Sequence, residues 1–459
     1  MGRGLPGLAV AVVLLTVSCD SGGADTAPVS EPRVQLPDLI PTDVKLPRVD
    51  IPLHAKAVQR CLHSDWHRPG PSDFAGYTGP VDWVEGQVEQ ERELELTTPV
   101  ETKLLPPKKF DEVVARTNGE EDREESRVTR SLAWALGVTP HGIDVNFFLQ
   151  GDGAELIAGF YLPGSDKLYV RKEKRLDDEL VVLAHELGHA VTDQALGLPK
   201  SGGWSMVDDA RLAAKSVVEG DASLIELRFL SQYISPKKAR KTIKPHITYE
   251  GEFQAERRAG VPHFMIDRFM FPYQWGLAFV CSIYKARGWK GVNELYEDPP
   301  KTTAEIMFPE RYLRGQKAEK PKPLGDLPAP WELTRSRPLG AFHLKTLFEA
   351  PGDLGRRTLD RPVARAASWA GGRLELWDNE DEETAAVGLS LVEHRDTPDL
   401  LCASIHEWYQ AAFLEAEPEA TEEGVVYRDE NQKALISCEG RDVRVAIAPT
   451  IDLATALHD

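Results

Sequence analysis

Positively charged residues are scarce in this chain of 459 residues. It has 54 lysines and arginines against 73 aspartates and glutamates, a formal net charge of −19. A nucleic-acid-binding protein shows a basic face, and electrostatic attachment to anionic lipid needs a basic cluster, so the deficit argues against both. Hydrophobic residues make up 42% of the chain, which permits a sizeable core and excludes wholesale disorder.

The sequence also lacks an apolar run long enough to span a membrane. The run at residues 5–17 has 13 residues, against the ~20 that a spanning helix needs. It follows Arg3 and ends at Thr16-Val17-Ser18-Cys19. This resembles the lipobox of bacterial lipoproteins, in which the cysteine is lipidated and becomes the new N-terminus, although Thr16 stands where leucine is commonest. A plain secretory signal with an incidental cysteine is the alternative.

Either interpretation takes the mature chain out of the cytoplasm. We assign residues 1–18 to a lipoprotein signal peptide and residues 19–55, rich in Pro, Ser, Gly and Asp, to a tether. The sequence therefore predicts a cell-envelope protein, anchored to a bacterial membrane through a lipid on Cys19 and facing the periplasm or the surface. The choice between inner and outer membrane stays open.

Cysteine is scarce as well, with five in the chain. Without Cys19, an even number remains outside the reducing cytosol, which favours disulfides. Cys402 and Cys438 are close in sequence and are expected to form one bridge, which leaves Cys61 and Cys281 for the other. Other pairings, or buried free thiols, stay open.

A proline-rich stretch at residues 321–330 is interpreted as a linker within the folded part. Before it, residues 157–172 predict a hairpin. Amphipathic or apolar helices are predicted at 176–196, 206–234 and 271–289. After it, residues 331–459 mix a helix with short strands. The expected fold class is α+β, with a mainly helical part carrying a β edge, followed by a small α+β region.

The chemistry-bearing motif is His185-Glu186-Leu187-Gly188-His189. Positions i and i+4 share one face of a helix, so both imidazoles can bind one metal ion. Neutral imidazole nitrogens suit zinc, and a catalytic zinc keeps an open position for water. Glu186 would lie beside that position and act as general base. Two helical histidines without a metal are the alternative.

Glu219 is the expected third ligand. It lies in the second predicted helix, beside Val218 and Gly220 and close to Ala222. A carboxylate buried among small or apolar neighbours is costly unless it is paired, and a metal ion would remove that cost. The alternative is a Glu219 side chain that points to solvent.

Together these motifs resemble the gluzincin group of zinc peptidases, the thermolysin-like arrangement, and more closely a bacterial family of secreted or lipid-anchored HExxH metallopeptidases. The matching segments are GFYLPGSDKLYV, HELGHAVTDQ, VVEGDAS, FPYQWGLAFV and GWKGVNELYEDPPKTTAEIMFPERY. The resemblance covers about residues 95–315 and continues more weakly into 338–377. It implies a zincin-like peptidase domain at 56–320 with its active-site core at 131–315.

The resemblance further implies one zinc ion per chain, held by His185, His189 and Glu219, and a peptide or protein substrate. Such hydrolysis also needs a hydrogen-bond donor for the developing oxyanion, and Tyr273 is our prediction for it. A tyrosine that only packs in the core is the alternative, and His246 and His263 are further candidate donors. Gluzincins dock an extended peptide against an edge strand, which we expect at residues 167–170.

Two departures from the family pattern bear on activity. Ser223 stands where thermolysin-like peptidases have an aspartate that orients a ligand histidine, and Asp221 or Asp193 is expected to replace it. Phe308 stands where the family is expected to have histidine. If that histidine assists catalysis, this chain has lost it. The alternative function is therefore a catalytically inactive zincin-like lipoprotein that serves as an envelope binding or structural module.

Overall fold

The computed structural model describes residues 36–42, 44–48, 55–67, 69–117, 123–139, 157–172, 175–198, 208–240, 263–352, 356–379 and 385–459. The expected signal peptide, Cys19, most of the expected tether and His246 lie outside these ranges. Among the residues described, no helix is both long enough and apolar enough to cross a bilayer.

The helices are α1 (Leu36–Leu39), α2 (Ala55–Gln59), α3 (Pro80–Arg92), α4 (Pro107–Thr117), α5 (Arg123–Ala135), α6 (Leu176–Leu196), α7 (Asp209–Phe229), α8 (His263–Glu297), α9 (Thr303–Met307), α10 (Pro309–Leu313), α11 (Ala341–Glu349), α12 (Pro362–Ala366), α13 (Leu400–Ala412) and α14 (Ile451–His458). The strands are β1 (Glu101–Leu105), β2 (Gly159–Leu162), β3 (Lys167–Arg171), β4 (Glu332–Pro338), β5 (Trp369–Asp378), β6 (Ala385–Glu393), β7 (Glu417–Ala420), β8 (Val425–Arg428), β9 (Lys433–Glu439) and β10 (Asp442–Ala448). The α+β class predicted from the sequence is confirmed.

A small sheet with the order β1-β3-β2 lies in the first part of the chain. Strands β2 and β3 form the predicted hairpin, and β1 pairs in parallel with β3, with Glu101 opposite Lys167. The prediction that residues 167–170 form the sheet edge is therefore wrong. Strand β1 covers the outer side of β3 along its whole length, which leaves β2 as the edge strand on the opposite side of the sheet.

The second sheet is antiparallel and has the order β4-β5-β6-β10-β9-β8-β7. Successive side chains of each strand point to opposite faces of this sheet. In β10, Val443, Val445 and Ile447 face the main hydrophobic core, whereas Ala446 and Ala448 face a smaller cluster that α14 completes.

Side chains from both sides of the expected linker share the main core. Phe342 of α11 packs on Phe271 of α8 with ring centroids 4.5 Å apart. In the same contact, buried Lys345 lies 2.6 Å from the carboxylates of Asp267 and Glu349. The disulfides join Cys61 to Cys281 and Cys402 to Cys438, which is the pairing expected from the sequence.

Replacing Glu393 with glutamine is expected to stabilise the protein at high pH only. Glu393 is 1% exposed and accepts a hydrogen bond from the Leu401 amide (2.6 Å). Burial raises the pKa of Glu393 to about 7 from the ordinary 4.5. The folded state thus holds this proton more tightly than the unfolded state, and stability falls as pH rises from 4.5 through 7. Glutamine keeps the hydrogen-bond acceptor without the charge, so the free energy of unfolding at pH 8 should be up to about 3 kcal/mol higher in the variant than in the wild type. Denaturant unfolding at pH 8 and pH 4 checks this, and an equal gain at both would contradict it.

Candidate metal centre

Helices α6 and α7 carry the expected ligands on facing sides. His185 and His189 are one turn apart on α6, and their rings meet edge to face with centroids 4.8 Å apart. Helix α7 begins after Asp208, whose side chain accepts a hydrogen bond from the Arg211 amide as an N-cap. Near the middle of α7, Glu219 points at both imidazoles.

The three ligand atoms converge on one point. Glu219 Oε2 lies 3.5 Å from His185 Nε2 and 3.4 Å from His189 Nε2, and all three atoms lie within 4.8 Å of one another. Bonds of ~2.0–2.1 Å to a tetrahedral ion would place neighbouring ligand atoms about 3.3–3.4 Å apart, so the two distances to Glu219 Oε2 match such a site. The structure therefore contains a group of side chains that can hold a metal ion.

The burial and the charge of Glu219 also indicate a metal site. Glu219 Oε2 is buried and has no hydrogen-bond partner among the described residues, which is costly for a carboxylate oxygen. Burial raises the pKa of Glu219, but the two histidines outweigh it and lower that pKa well below its ordinary range. Glu219 is therefore ionised and aimed at a position where a cation would satisfy it.

Glu186 lies beside this group, 6% exposed. Burial raises its pKa, and the charge of Glu219 raises it further, against the opposing effect of the histidines. The amide of Tyr161 in edge strand β2 donates a hydrogen bond to it. A Cβ at Gly159 would lie 2.9 Å from Glu186 Cγ, so only glycine lets β2 pass this close to the carboxylate. A buried carboxylate with a raised pKa is suited to accept a proton and pass it on.

Tyr273 reaches the site from α8. Its ring is nearly parallel to that of His185, with centroids 6.2 Å apart, and its hydroxyl hydrogen-bonds Glu219. Burial, together with the nearby carboxylates, raises the pKa of Tyr273 well above its ordinary value, so the hydroxyl keeps its proton and remains a donor. The structure thus brings Tyr273 to the metal-ligand group, as expected of an oxyanion donor.

Glycines at a helix crossing make this approach possible. A Cβ at Gly220 of α7 would lie 2.3 Å from the Gly276 carbonyl carbon of α8, and a Cβ at Gly276 would lie 2.1 Å from the Ser216 carbonyl oxygen. The backbones of α7 and α8 therefore touch at this crossing. Glu219 directly precedes Gly220, and Tyr273 lies about one turn before Gly276, so the crossing sets the distance between these two side chains.

The expectation that Asp221 or Asp193 orients a ligand histidine is wrong. Glu226 does so, with its Oε2 3.1 Å from His185 Nδ1. At 100° per residue, position 221 lies 200° around α7 from Glu219, whereas position 226 returns to within about 20° of it, two turns later. Ser223 shares that face, but its buried hydroxyl has no hydrogen-bond partner among the described residues.

The two aspartates serve the scaffold instead. Asp193 accepts hydrogen bonds from the Tyr161 hydroxyl and the Gly164 amide (both 3.1 Å), which fixes the hairpin on α6. The Arg92 Nε–H is shared between the two Asp221 oxygens, each 3.1 Å away, and the Tyr296 hydroxyl donates a further hydrogen bond to Asp221 at 2.8 Å. These Asp221 contacts are buried and tie α3 and α8 to the metal-ligand helix.

The remaining singled-out residues lie outside the described ligand group. Phe308 is buried between α9 and α10, with the Arg311 guanidinium 4.8 Å from the centre of its ring. His263 is the first residue of α8. Lys215, which the sequence did not single out, lies one turn before Glu219 with its Nζ 3.8 Å from Glu219 Oε1.

A second group of metal-ligand type, Cys402, His406 and Cys438, contains two cysteines joined in a disulfide.

Replacing Glu226 with alanine is expected to weaken metal binding about 10- to 100-fold. Loss of a hydrogen-bond acceptor that orients a ligand histidine typically lowers metal affinity by that factor. Ser223→Ala is the matched control, since it lies on the same face of α7 and should leave the affinity unchanged. Competition with a chromophoric chelator measures both variants. Wild-type affinity in Glu226→Ala would show that the Glu226–His185 contact has no role in metal binding.

No family model matches the chain, and no curated protein matches it, so the comparisons name no HExxH or gluzincin family. Among solved structures, a protein from Chloroflexus aurantiacus described as "a putative hydrolase with a novel fold" is 16% identical. The match covers 59% of this chain and 100% of that one, with a TM-score of 0.32. The description of the Chloroflexus protein names hydrolysis and no substrate, and it applies to that protein.

Proposed function

We propose that the protein is a zinc-dependent peptidase of the gluzincin type, anchored in the bacterial envelope by a lipid on Cys19. The observation that carries the proposal is the convergence of His185, His189 and Glu219 on one point, with Glu186 buried beside them. Two imidazoles and one carboxylate are a zinc donor set, and zinc keeps a further position open in catalytic sites. A site with only a structural role would have no use for the general base.

The side chains divide the chemistry of peptide hydrolysis among them. A zinc ion held by the three ligands would supply Lewis acidity toward a carbonyl oxygen and toward water. Glu186 would take the proton from the attacking water and deliver it to the leaving amine. The protonated Tyr273 hydroxyl would donate a hydrogen bond to the developing oxyanion. Glu226 would hold His185 in the ring orientation that aims Nε2 at the ion.

The proposed substrate is a peptide that lies along β2. The Arg171 amide donates to the Ala158 carbonyl (2.8 Å), so alternate residues starting from Ala158 pair with β3. Gly159 therefore directs its amide and carbonyl to the free edge, next to Glu186. An extended peptide could pair there as an added strand, with a peptide bond brought to the base.

Removal of the metal tests this function. The purified protein should hydrolyse members of a mixed peptide library, lose all activity after dialysis against a chelator, and regain it with one equivalent of zinc. Mass spectrometry of the products measures cleavage. Hydrolysis that persists in the chelator-treated protein would contradict a metal-dependent reaction. A metal-loaded protein that cleaves no peptide would favour the binding-module function.

A further inference from the structure

A polar cavity of 230 Å³ lies away from the metal-ligand group. Its walls come from the end of α3, the end of α7 and the middle of α8. Helix α7 continues there into a π-helical turn, Leu230–Ile234, which contributes Gln232 and Tyr233. Such turns are rare and occur frequently at functional sites. Arg228, at the floor, is nine residues beyond Glu219 and so lies about 13 Å further along α7 on its opposite side.

The charges at the floor neutralise each other. Arg228 Nε lies 2.5 Å from Glu91 Oε1, and His63 Nε2 lies 2.5 Å from Glu91 Oε2. A further Arg228 nitrogen donates to the Cys61 carbonyl, and the guanidinium lies 5.0 Å from the Tyr284 ring centre. Both Glu91 oxygens are thus in use, and the cation is held against an aromatic ring. Among the described lining residues, an anionic ligand finds no unpaired cation, whereas the exposed Glu93 also lines the cavity and can accept a hydrogen bond from a hydroxyl group.

The walls favour hydroxyl groups as binding partners. Three glutamines, Gln87, Gln90 and Gln232, line the cavity together with Tyr233, Tyr284 and Trp289. Gln87 is already hydrogen-bonded to the Tyr233 and Tyr77 hydroxyls, whereas the amides of Gln90 and Gln232 each offer a donor and an acceptor, which matches a hydroxyl, itself both donor and acceptor. Aromatic rings offer apolar surface to the C–H groups between hydroxyls. The lining therefore excludes a purely apolar ligand and suits a neutral, polyhydroxylated one.

We propose that this polar cavity is a binding site for a neutral saccharide unit. The volume of 230 Å³ equals that of about eight waters at ~30 Å³ each, which is appropriate for a single sugar ring. The ring hydroxyls would hydrogen-bond the amides of Gln90 and Gln232, and the ring would pack beside Tyr284. The site is independent of the proposed peptidase activity, because no lining residue belongs to the metal-ligand group.

Saturation-transfer NMR on the full purified protein tests the proposal. The probes are glucose, N-acetylglucosamine and their trisaccharides, with tetramethylammonium and glucuronate as charged comparisons. We expect at least one neutral saccharide to bind with millimolar affinity. Gln90→Leu and Gln232→Leu should each weaken that binding at least 10-fold. Lys285→Leu, exposed next to Tyr284 in the chain, should not change it.

The metal content of all three variants should equal that of the wild type, so the result does not depend on the metal centre. Absence of a signal from every neutral saccharide would overturn the proposal and leave a water-filled cavity. Binding of tetramethylammonium or glucuronate without the sugars would overturn it in favour of an ion site. Sugar binding unaffected by both glutamine substitutions would show that the sugar binds elsewhere.

Discussion

Replacing Glu186 with glutamine should reduce peptide hydrolysis about 10³-fold while the metal stays bound. General acid–base groups contribute 10²- to 10⁴-fold to such reactions, and an amide cannot accept the proton from water. Glutamine has the size of glutamate and retains an oxygen that can accept the Tyr161 amide hydrogen bond. Glu186 is not among the three atoms that converge on the ion site, so metal affinity should change little.

Turnover and metal content of this variant must be measured on the same sample. Glu297→Gln, an exposed residue at the end of α8, is the matched control and should show wild-type activity. Wild-type turnover in Glu186→Gln would contradict the mechanism. Loss of both metal and activity would instead mean that Glu186 supports the metal centre rather than proton transfer.

Replacing Glu219 with alanine should weaken metal binding by more than 100-fold. The substitution removes one of three ligands and the only charged one, whereas loss of an orienting residue alone costs 10- to 100-fold. The two imidazoles remain one turn apart on α6, but two neutral donors compete poorly with water for a divalent ion. Tyr273 would also lose its hydrogen-bond acceptor.

The Lys215→Met variant distinguishes ligation by Glu219 from the electrostatic effect of a charge close to it. Lys215 lies 3.8 Å from Glu219 and is about 43% exposed. An exposed ion pair contributes little, so metal affinity should remain within a few-fold of wild type. A chelator competition assay measures both variants, and equal losses would indicate that general electrostatics, not ligation, governs metal binding.

Local spacing explains which features were predictable from the sequence. The i,i+4 histidines lie within one helix, and the β2–β3 hairpin joins two strands that are adjacent in sequence, so both were predictable from local patterns. The pairing of β1 with β3 joins segments about 65 residues apart, and no pattern within either strand indicates it. For the same reason, the sequence predicted the wrong edge strand.

The orienting carboxylate was missed for a different reason. The family pattern directed attention to position 223, four residues after Glu219, and Glu226 lies about one turn beyond it. The helical period could have found it, because i, i+4 and i+7 share a face. The Gly220–Gly276 crossing and the Arg92–Asp221 pair depend on how helices meet, which the sequence of each helix does not encode.

Elemental analysis of the purified protein tests the central claim most directly. After zinc is offered and excess removed, the wild type should contain about one zinc ion per chain, and Glu219→Ala should contain almost none. That result would establish the site formed by His185, His189 and Glu219. A folded wild-type protein that retains no metal, or a Glu219→Ala variant that retains as much as the wild type, would contradict it.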